Sequence, residues 1–229
     1  MMRQRTLADG TAVSVLSLGA MWFGTRTGEA TSFAILDRFT EAGGTLIDTS
    51  DNYAFWEPGG RGGESETVLG RWLAARGARD RVRLSSKVGA QPTIPGTSYL
   101  DSAEGLSAPA IRSALEGSLR RLGTDHLDVY WAHIEDRSVT LEETVDTFAS
   151  LIKEGKAGVV GASNHATWRV ERPEAITMKS PISERPRRSM ATMSSALSSS
   201  SEAMMTCRRS SLDNCWGSGR CPSGAAGAA

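Results

Sequence analysis

The segment TLIDTSDNY, residues 45–53, joins a short apolar run to a polar turn and a tyrosine. The run at 45–48 is typical of a β-strand. A helical pattern precedes it at 30–42, with Gly43-Gly44 between the two, and a second helical pattern follows at 65–76. A strand between two amphipathic helices is the repeating unit of a parallel α/β fold, so this stretch predicts that fold class.

The same alternation continues from Thr11 to about His165. Short runs rich in apolar and β-branched residues predict strands, and longer stretches with apolar residues three and four positions apart predict helices. The predicted strands are Val13 to Leu18, Thr45 to Asp48, Val82 to Lys87, Leu127 to Trp131 and Ala157 to Ser163. The predicted helices are Ala30 to Ala42, Ser65 to Arg76, Ala108 to Leu122 and Leu141 to Glu154.

Composition places the chain among ordinary globular proteins, with 39% hydrophobic and 23% charged residues. Its 26 basic and 26 acidic side chains cancel, which argues against a nucleic-acid partner and favours a small-molecule substrate. No apolar run is long enough for a membrane span or an export signal, so we expect a cytoplasmic protein. The three cysteines form no Cys-x-x-Cys pair and have no histidine nearby, so we expect no metal site.

The character of the sequence changes after His165. No valine occurs beyond Val170, and serine dominates Ser194 to Ser201. Such a segment buries too little apolar surface to offset the entropy of ordering it. We therefore divide the chain into a folded portion, 1–165, and an irregular or disordered tail, 166–229. We interpret the tail as degenerate or misread sequence, and a flexible natural tail is the alternative.

Polar side chains follow four of the predicted strands. Asp48 ends the second strand, with Tyr53 five residues later, and Lys87 ends the third. His133 follows the fourth strand, and Ser163-Asn164 follow the fifth. Catalytic groups of parallel α/β barrels lie at the carboxyl ends of strands, so we expect these residues to share one site.

This order resembles the signature of the aldo-keto reductase family: Asp-x-x-x-x-Tyr, then Lys, then His, then Ser-Asn. The resemblance covers Arg5 to about His165 and implies an incomplete (β/α)8 TIM barrel, with about five of the eight units. It also implies an N-terminal β-hairpin, here Gln4 to Thr6 and Ala12 to Ser14 around Asp9-Gly10.

The resemblance implies a role for each of four side chains in carbonyl reduction. Tyr53 would donate the proton to the substrate oxygen, and the Lys87 ammonium would lower the pKa of that phenol. Asp48 would pair with Lys87 and fix its position. His133 would hydrogen-bond the substrate oxygen and orient it.

The resemblance further implies a nicotinamide cofactor, NADPH, with NADH as an alternative. Ser163 and Asn164 would bind the nicotinamide carboxamide. The cofactor would also lie near Asp48 and near a segment after the first strand, Gly19, Ala20 and Met21. Three aromatic residues either line the substrate site or pack against each other, namely Trp22, Phe55 and Trp56.

Two functions are consistent with these residues. The first is NADPH-dependent reduction of an aldehyde or ketone to an alcohol. The second is a catalytically inactive, truncated reductase-like chain that acts as a binding or assembly subunit. A five-strand sheet leaves two edges that a closed barrel lacks, so oligomerisation through these exposed edges is expected to be possible.

Overall fold

A short antiparallel hairpin begins the described part of the protein. The structure is a computed structural model that describes residues 2–166. Strand β1, Gln4–Thr6, pairs with β2, Ala12–Ser14, and the register aligns Gln4 with Ser14. The predicted hairpin is therefore confirmed. The predicted tail, 166–229, lies outside the described residues except for Ala166.

Five parallel strands follow the hairpin and pair in the order in which they occur in the chain. Within residues 2–166, no strand pairs with the outer edges of the first or the last of them. Sequential parallel pairing with a helix between neighbouring strands is the arrangement of a (β/α)8 barrel. The strands are β3, Ser17–Gly19; β4, Leu46–Asp48; β5, Arg83–Val88; β6, Leu127–Ala132; and β7, Ala157–Ala162.

Helices connect the strands of this sheet. Four of them match the predicted helices to within one residue at each end, and the short α3 was not predicted. No helix within residues 2–166 is long and apolar enough to cross a membrane. The helices are α1, Glu29–Glu41; α2, Glu64–Arg76; α3, Tyr99–Ser102; α4, Ala108–Leu122; and α5, Leu141–Lys153.

The prediction of one strand from Val13 to Leu18 is wrong. The chain leaves the hairpin after Ser14 and enters the parallel sheet at Ser17. The Ser14 hydroxyl donates to the Leu16 carbonyl at 2.6 Å and accepts the backbone N–H of Thr45 at 2.9 Å. These side-chain bonds replace strand pairing at the bend and turn Leu16 outward, where it is 60% exposed.

The hydrophobic core lies between the sheet and the helices. Leu36 of α1, Leu69 and Trp72 of α2, and Leu115 of α4 are each at most 1% exposed. The indole N–H of Trp72 donates to Asp37 at 2.8 Å, which satisfies its polar atom. The helices pack onto the sheet through these side chains, and this packing holds the strand ends that carry the polar residues.

Gly70 sets the closest approach of α2 to α4. A Cβ at this position would lie 2.1 Å from the backbone oxygen of Arg121, and a backbone atom cannot move aside without moving its helix. We expect Gly70→Ala to lower the free energy of unfolding by about 2 kcal/mol, although alanine favours helices by about 1 kcal/mol. Urea denaturation followed by tryptophan fluorescence measures the change.

Gly117 of α4 provides the matched control for that substitution. Its Cβ would meet only the end of the Arg121 side chain, at 3.1 Å, and a flexible side chain can yield. Gly117→Ala is expected to change the free energy of unfolding by less than about 1 kcal/mol. Equal losses in the two variants would mean that backbone contact between the helices is not the cause.

Candidate active site

The structure brings the predicted polar residues together at the carboxyl edge of the sheet. Asp48 is the last residue of β4, Lys87 is the penultimate residue of β5, and His133 directly follows β6. The strands are parallel and adjacent, so their carboxyl ends meet at the same edge. Tyr53, in the loop after β4, folds back to this edge.

Lys87 is the centre of the site. Its side chain is buried, and its ammonium donates to Asp48 Oδ2 at 2.6 Å, to the Thr49 carbonyl at 2.7 Å and to the Tyr53 hydroxyl at 2.7 Å. Burial lowers the pKa of Lys87, but the Asp48 carboxylate and Tyr53 outweigh it, and the pKa lies above its usual value. The ammonium is therefore charged across the neutral pH range.

The phenol of Tyr53 does not have the lowered pKa that the resemblance implied. Burial is the largest influence and raises the pKa of Tyr53 to about 12. The Lys87 ammonium acts in the expected direction, but the Asp48 carboxylate opposes it because it lies 3.2 Å from the hydroxyl oxygen. Tyr53 therefore holds its proton at neutral pH.

The imidazole of His133 is held neutral. Burial, assisted by the Lys87 ammonium, lowers the pKa of His133 to about 3. The ring lies edge-on to the Tyr53 ring, with 6.0 Å between the centroids. The backbone N–H of His133 donates to the Val88 carbonyl at 2.8 Å, and this bond fixes the start of the loop after β6.

Two residues of this site were not predicted from the sequence, Ser85 and Trp131. The Ser85 hydroxyl donates to Asp48 Oδ1 at 2.8 Å and accepts the indole N–H of Trp131 at 2.9 Å. Both oxygens of the Asp48 carboxylate thus have donors. Ser85 lies directly across from Asp48 in the β4–β5 register, so knowledge of the register would have identified it.

Ser50 and Asn52 were also missed, and both are buried directly under the site. The Ser50 hydroxyl lies 2.8 Å from Asn52 Oδ1 and 3.2 Å from His133 Nδ1. The Asn52 amide nitrogen donates to the Ala90 carbonyl at 3.1 Å. No pattern in the sequence singles out Ser50, which lies at one of the four variable positions between Asp48 and Tyr53.

The segment Gly19 to Met21, where a cofactor is predicted to lie, differs in exposure from residue to residue. Gly19 is exposed, and apart from its two chain neighbours no residue has an atom within 4 Å of where its Cβ would be. Met21 is half-buried. Ala20 is fully buried, its N–H donates to the Asp48 carbonyl, and its own carbonyl accepts from Ser65. The backbone polar groups of Ala20 therefore both have partners within the protein, and its place near a cofactor stays a prediction.

Ser163 and Asn164 follow β7 at the same edge. Asn164 has a left-handed backbone with φ of 54°, a conformation that asparagine tolerates better than most residues. Its amide nitrogen donates to the His133 carbonyl at 2.9 Å and to the Ser163 hydroxyl at 3.1 Å. The amide oxygen of Asn164 and the hydroxyl proton of Ser163 are what this pair can offer a ligand.

Three aromatic residues predicted near the site form one cluster. Trp56 makes edge-on contacts with Trp22 and with Phe55, at centroid distances of 5.8 and 5.1 Å. The Arg26 guanidinium lies over the Trp22 ring at 4.2 Å from its centroid and pairs with Glu57 at 2.8 Å. Packing within the cluster is therefore present, and its three rings are half-buried rather than enclosed.

Asp51, in the loop between Asp48 and Tyr53, is a buried aspartate with an unusual pKa. It is only 4% exposed, and its Oδ2 atom has no donor within hydrogen-bonding distance. Burial raises the pKa of Asp51 well above its usual value, and the neighbouring Glu104 and Glu66 raise it further, while Arg121 only partly opposes them. The Asp51 carboxyl is therefore held neutral at pH values where an exposed aspartate is ionised.

Replacing Asp51 tests this neutral state. Because the folded state raises the pKa, Asp51 costs the wild type stability as pH rises from about 4 towards the folded-state pKa. Asp51→Asn keeps the shape without the ionisation. We expect equal stability near pH 4 and a gain of about 1–2 kcal/mol in the free energy of unfolding at pH 7.5, measured by urea denaturation.

The exposed Asp80 provides the control, since Asp80→Asn is expected to have almost no effect at either pH. A loss of stability in Asp51→Asn at pH 7.5 would show that the carboxylate form is the one that the fold requires.

The remaining candidate chemistry within the described residues is limited. No group of three or more His, Cys, Asp or Glu side chains in residues 2–166 could hold a metal ion. The cysteines all lie outside those residues. The site consists of one buried ammonium, one neutral imidazole, one protonated phenol and one carboxylate whose two oxygens both accept hydrogen bonds.

Comparison with known proteins identifies the family that uses such a site. The model of the aldo/keto reductase family matches residues 15–183. The chain belongs to the aldo/keto reductase family. The fold of this family is the (β/α)8 barrel, and β3 to β7 supply five of its strands in barrel order. The family match extends beyond His165, where the composition of the sequence changes.

Curated relatives of this aldo/keto reductase are oxidoreductases. The uncharacterized oxidoreductase YrpG of Bacillus subtilis is 37% identical over 74% of this chain and 51% of its own length. Norsolorinic acid reductase stcV of Emericella nidulans is 36% identical over 69% of this chain and 41% of its own. The aryl-alcohol dehydrogenase [NADP(+)] of Phanerodontia chrysosporium is 34% identical over 74% of this chain and 46% of its own length. The chain spans about half the length of these relatives.

Proposed function

We propose that the protein reduces an aldehyde or ketone to an alcohol with NADPH. The observation that carries this proposal is the Lys87 ammonium, which bonds both the Asp48 carboxylate and the Tyr53 hydroxyl at 2.6 and 2.7 Å. A phenol so placed can release a proton to an oxygen on which negative charge develops. Membership of the aldo/keto reductase family supports the same reaction.

The residues at the carboxyl edge fit a nicotinamide cofactor. Open space above Gly19 leaves room for its ribose, close to Met21. The Asn164 amide oxygen can accept from the nicotinamide carboxamide, and the Ser163 hydroxyl can donate to it. NADPH rather than NADH is proposed because one relative is named as an NADP(+) enzyme. When bound, NADPH supplies a hydride to the carbonyl carbon.

Tyr53 completes the reaction by giving its proton to the carbonyl oxygen. A phenol with a pKa of about 12 keeps that proton until the oxygen becomes basic, because early release is unfavourable. Lys87 then stabilises the phenolate that remains, since its ammonium already lies 2.7 Å from the phenol oxygen. Asp48 holds the ammonium in that position.

The aromatic cluster of Trp22, Phe55 and Trp56 favours a flat, apolar substrate. Half-buried rings beside the site offer apolar surface that an aromatic aldehyde or ketone can cover. One relative, the aryl-alcohol dehydrogenase, has a name that refers to aryl alcohols. An aromatic carbonyl compound is therefore the proposed substrate class.

Two measurements on the full chain test the proposal. NADPH binding is followed by fluorescence titration, and turnover is followed by the loss of NADPH absorbance with 4-nitrobenzaldehyde. We expect saturable binding and aldehyde-dependent oxidation of NADPH, with slower oxidation when NADH replaces it. A folded sample that binds neither nucleotide would refute the proposal.

A second candidate function follows from the edges of the sheet. Within the described residues, β3 and β7 each pair on one side only. An unpaired strand edge of this kind can pair with another chain. An inactive binding or assembly subunit would use these edges. Analytical ultracentrifugation with and without NADPH distinguishes the two, because assembly without nucleotide binding favours this second function.

A further inference from the structure

The hydroxyl of Ser50 contacts three polar groups but has only one proton to donate. Its Oγ atom is 2.8 Å from Asn52 Oδ1, 3.2 Å from Asp51 Oδ1 and 3.2 Å from His133 Nδ1. Ser50 is fully buried, so water cannot supply a fourth partner from bulk solvent. A serine hydroxyl donates one hydrogen bond and accepts up to two.

The orientation of the Asn52 amide is set by its other contact. Its nitrogen donates to the Ala90 carbonyl at 3.1 Å, and a carbonyl can only accept. The amide oxygen of Asn52 must therefore face Ser50. At 2.8 Å that oxygen is the nearest acceptor for the Ser50 proton.

The hydrogen bonds that each arrangement allows then indicate which ring nitrogen of His133 carries the proton. If Nδ1 carried no proton, both Nδ1 and Asn52 Oδ1 would need the single Ser50 proton, and one of them would face a lone pair. The neutral Asp51 carboxyl has a proton of its own and does not change this comparison. If Nδ1 carries the proton of the neutral ring, it donates to Ser50, and Ser50 donates to Asn52. The second arrangement forms one more hydrogen bond in a buried place, where each unmade bond costs about 1–3 kcal/mol.

We propose that Ser50 is a positioning residue that holds His133 in the tautomer with the proton on Nδ1. The Nε2 atom is then an acceptor. This changes the role expected for His133, because an unprotonated Nε2 cannot donate a hydrogen bond to a carbonyl oxygen. Tyr53 is left as the donor to that oxygen, and Nε2 receives a hydroxyl, such as that of the alcohol. This consequence for catalysis rests on the proposed function, whereas the tautomer itself does not.

The tautomer is measured directly by long-range ¹H–¹⁵N correlation spectra of the full chain, labelled with ¹⁵N, above pH 7.5. Protonated and unprotonated ring nitrogens give distinct ¹⁵N shifts. The other two histidines serve as references in the same spectrum. Arg79 donates to His126 Nε2 at 2.7 Å, and the Ser163 carbonyl accepts at 2.6 Å from His165 Nδ1, so both carry their proton on Nδ1. Substitution of each reference by asparagine assigns the signals.

We expect three Nδ1-protonated rings in the wild type. In Ser50→Ala the acceptor for His133 Nδ1 is lost, and only the His133 signals should move to the Nε2-protonated pattern. A wild-type His133 that is protonated on Nε2 overturns the proposal. An unchanged His133 pattern in a folded Ser50→Ala variant overturns the role of Ser50. The wild-type spectrum decides the tautomer even if that variant does not fold.

Turnover provides a second readout that separates positioning from simple packing. An Nε2-protonated His133 in Ser50→Ala gains a hydrogen bond to the carbonyl oxygen, so KM for the aldehyde should fall roughly fivefold. A packing defect would instead raise KM. If neither form oxidises NADPH but the spectra are as expected, the reductase function fails and the tautomer assignment stands.

Discussion

Tyr53→Phe is expected to lower kcat for aldehyde reduction by about a thousandfold and to leave the affinity for NADPH unchanged. The phenol acts on the substrate oxygen, and the residues proposed to hold the nicotinamide lie after other strands. Removing the hydroxyl leaves Lys87 with two of its three acceptors, Asp48 and the Thr49 carbonyl. The fold around the ammonium is therefore expected to survive the substitution.

Tyr99→Phe provides a matched control for this prediction. Tyr99 begins the short helix α3, and its hydroxyl is not among the three acceptors of the Lys87 ammonium, so it should be dispensable for turnover. NADPH absorbance gives kcat for both variants, and fluorescence titration gives the dissociation constants. Loss of NADPH binding in Tyr53→Phe would show that Tyr53 supports the nucleotide site rather than the proton transfer.

The positions proposed for catalysis could be predicted from the sequence because they lie at strand ends. Once 45–48 and 82–87 are recognised as neighbouring parallel strands, Asp48 and Lys87 must approach each other at the carboxyl edge. Tyr53 follows Asp48 by only five residues, which places it in the loop that leaves this edge. Local pattern and chain connectivity were enough for these residues.

The protonation of those residues could not be predicted in the same way. The sequence indicates that Lys87 lies near Tyr53, and this neighbour lowers the pKa of the phenol. The sequence does not indicate that the phenol is buried, and burial raises that pKa by more than Lys87 lowers it. Burial depends on how loops from several units pack together. The same limit applies to Asp51, whose pKa reflects Glu104 and Glu66 from distant parts of the chain.

The side-chain contacts between neighbouring strands also could not be predicted from the sequence. Ser85 supports Asp48 only because the β4–β5 register places the two residues opposite each other. A shift of the register by one residue would turn that serine to the other face of the sheet. The error at Val13 to Leu18 has a similar origin, since the bonds between Ser14 and Thr45 span two elements.

Lys87→Met is expected to lower both the activity and the stability of the protein. Methionine keeps most of the volume but removes the charge that faces Asp48, and breaking a buried ion pair on one side costs about 3 kcal/mol in the free energy of unfolding. The pKa of Tyr53 should rise further, because Lys87 lowers it and the effect of burial persists. We expect kcat to fall at least about a hundredfold.

Two further variants distinguish the effect of breaking the Asp48–Lys87 ion pair from the effect of losing any lysine. Lys156→Met removes a half-exposed lysine that pairs with Glu116, and its cost should stay below about 1 kcal/mol. In the double variant Asp48→Asn with Lys87→Met, no unpaired carboxylate is left, and the asparagine can still accept from Ser85. This variant should be more stable than Lys87→Met alone while remaining inactive. Urea denaturation and NADPH turnover measure both effects. Equal stability of the single and double variants would mean that solvent at the exposed side of Asp48 stabilises its charge after the Lys87 ammonium is removed.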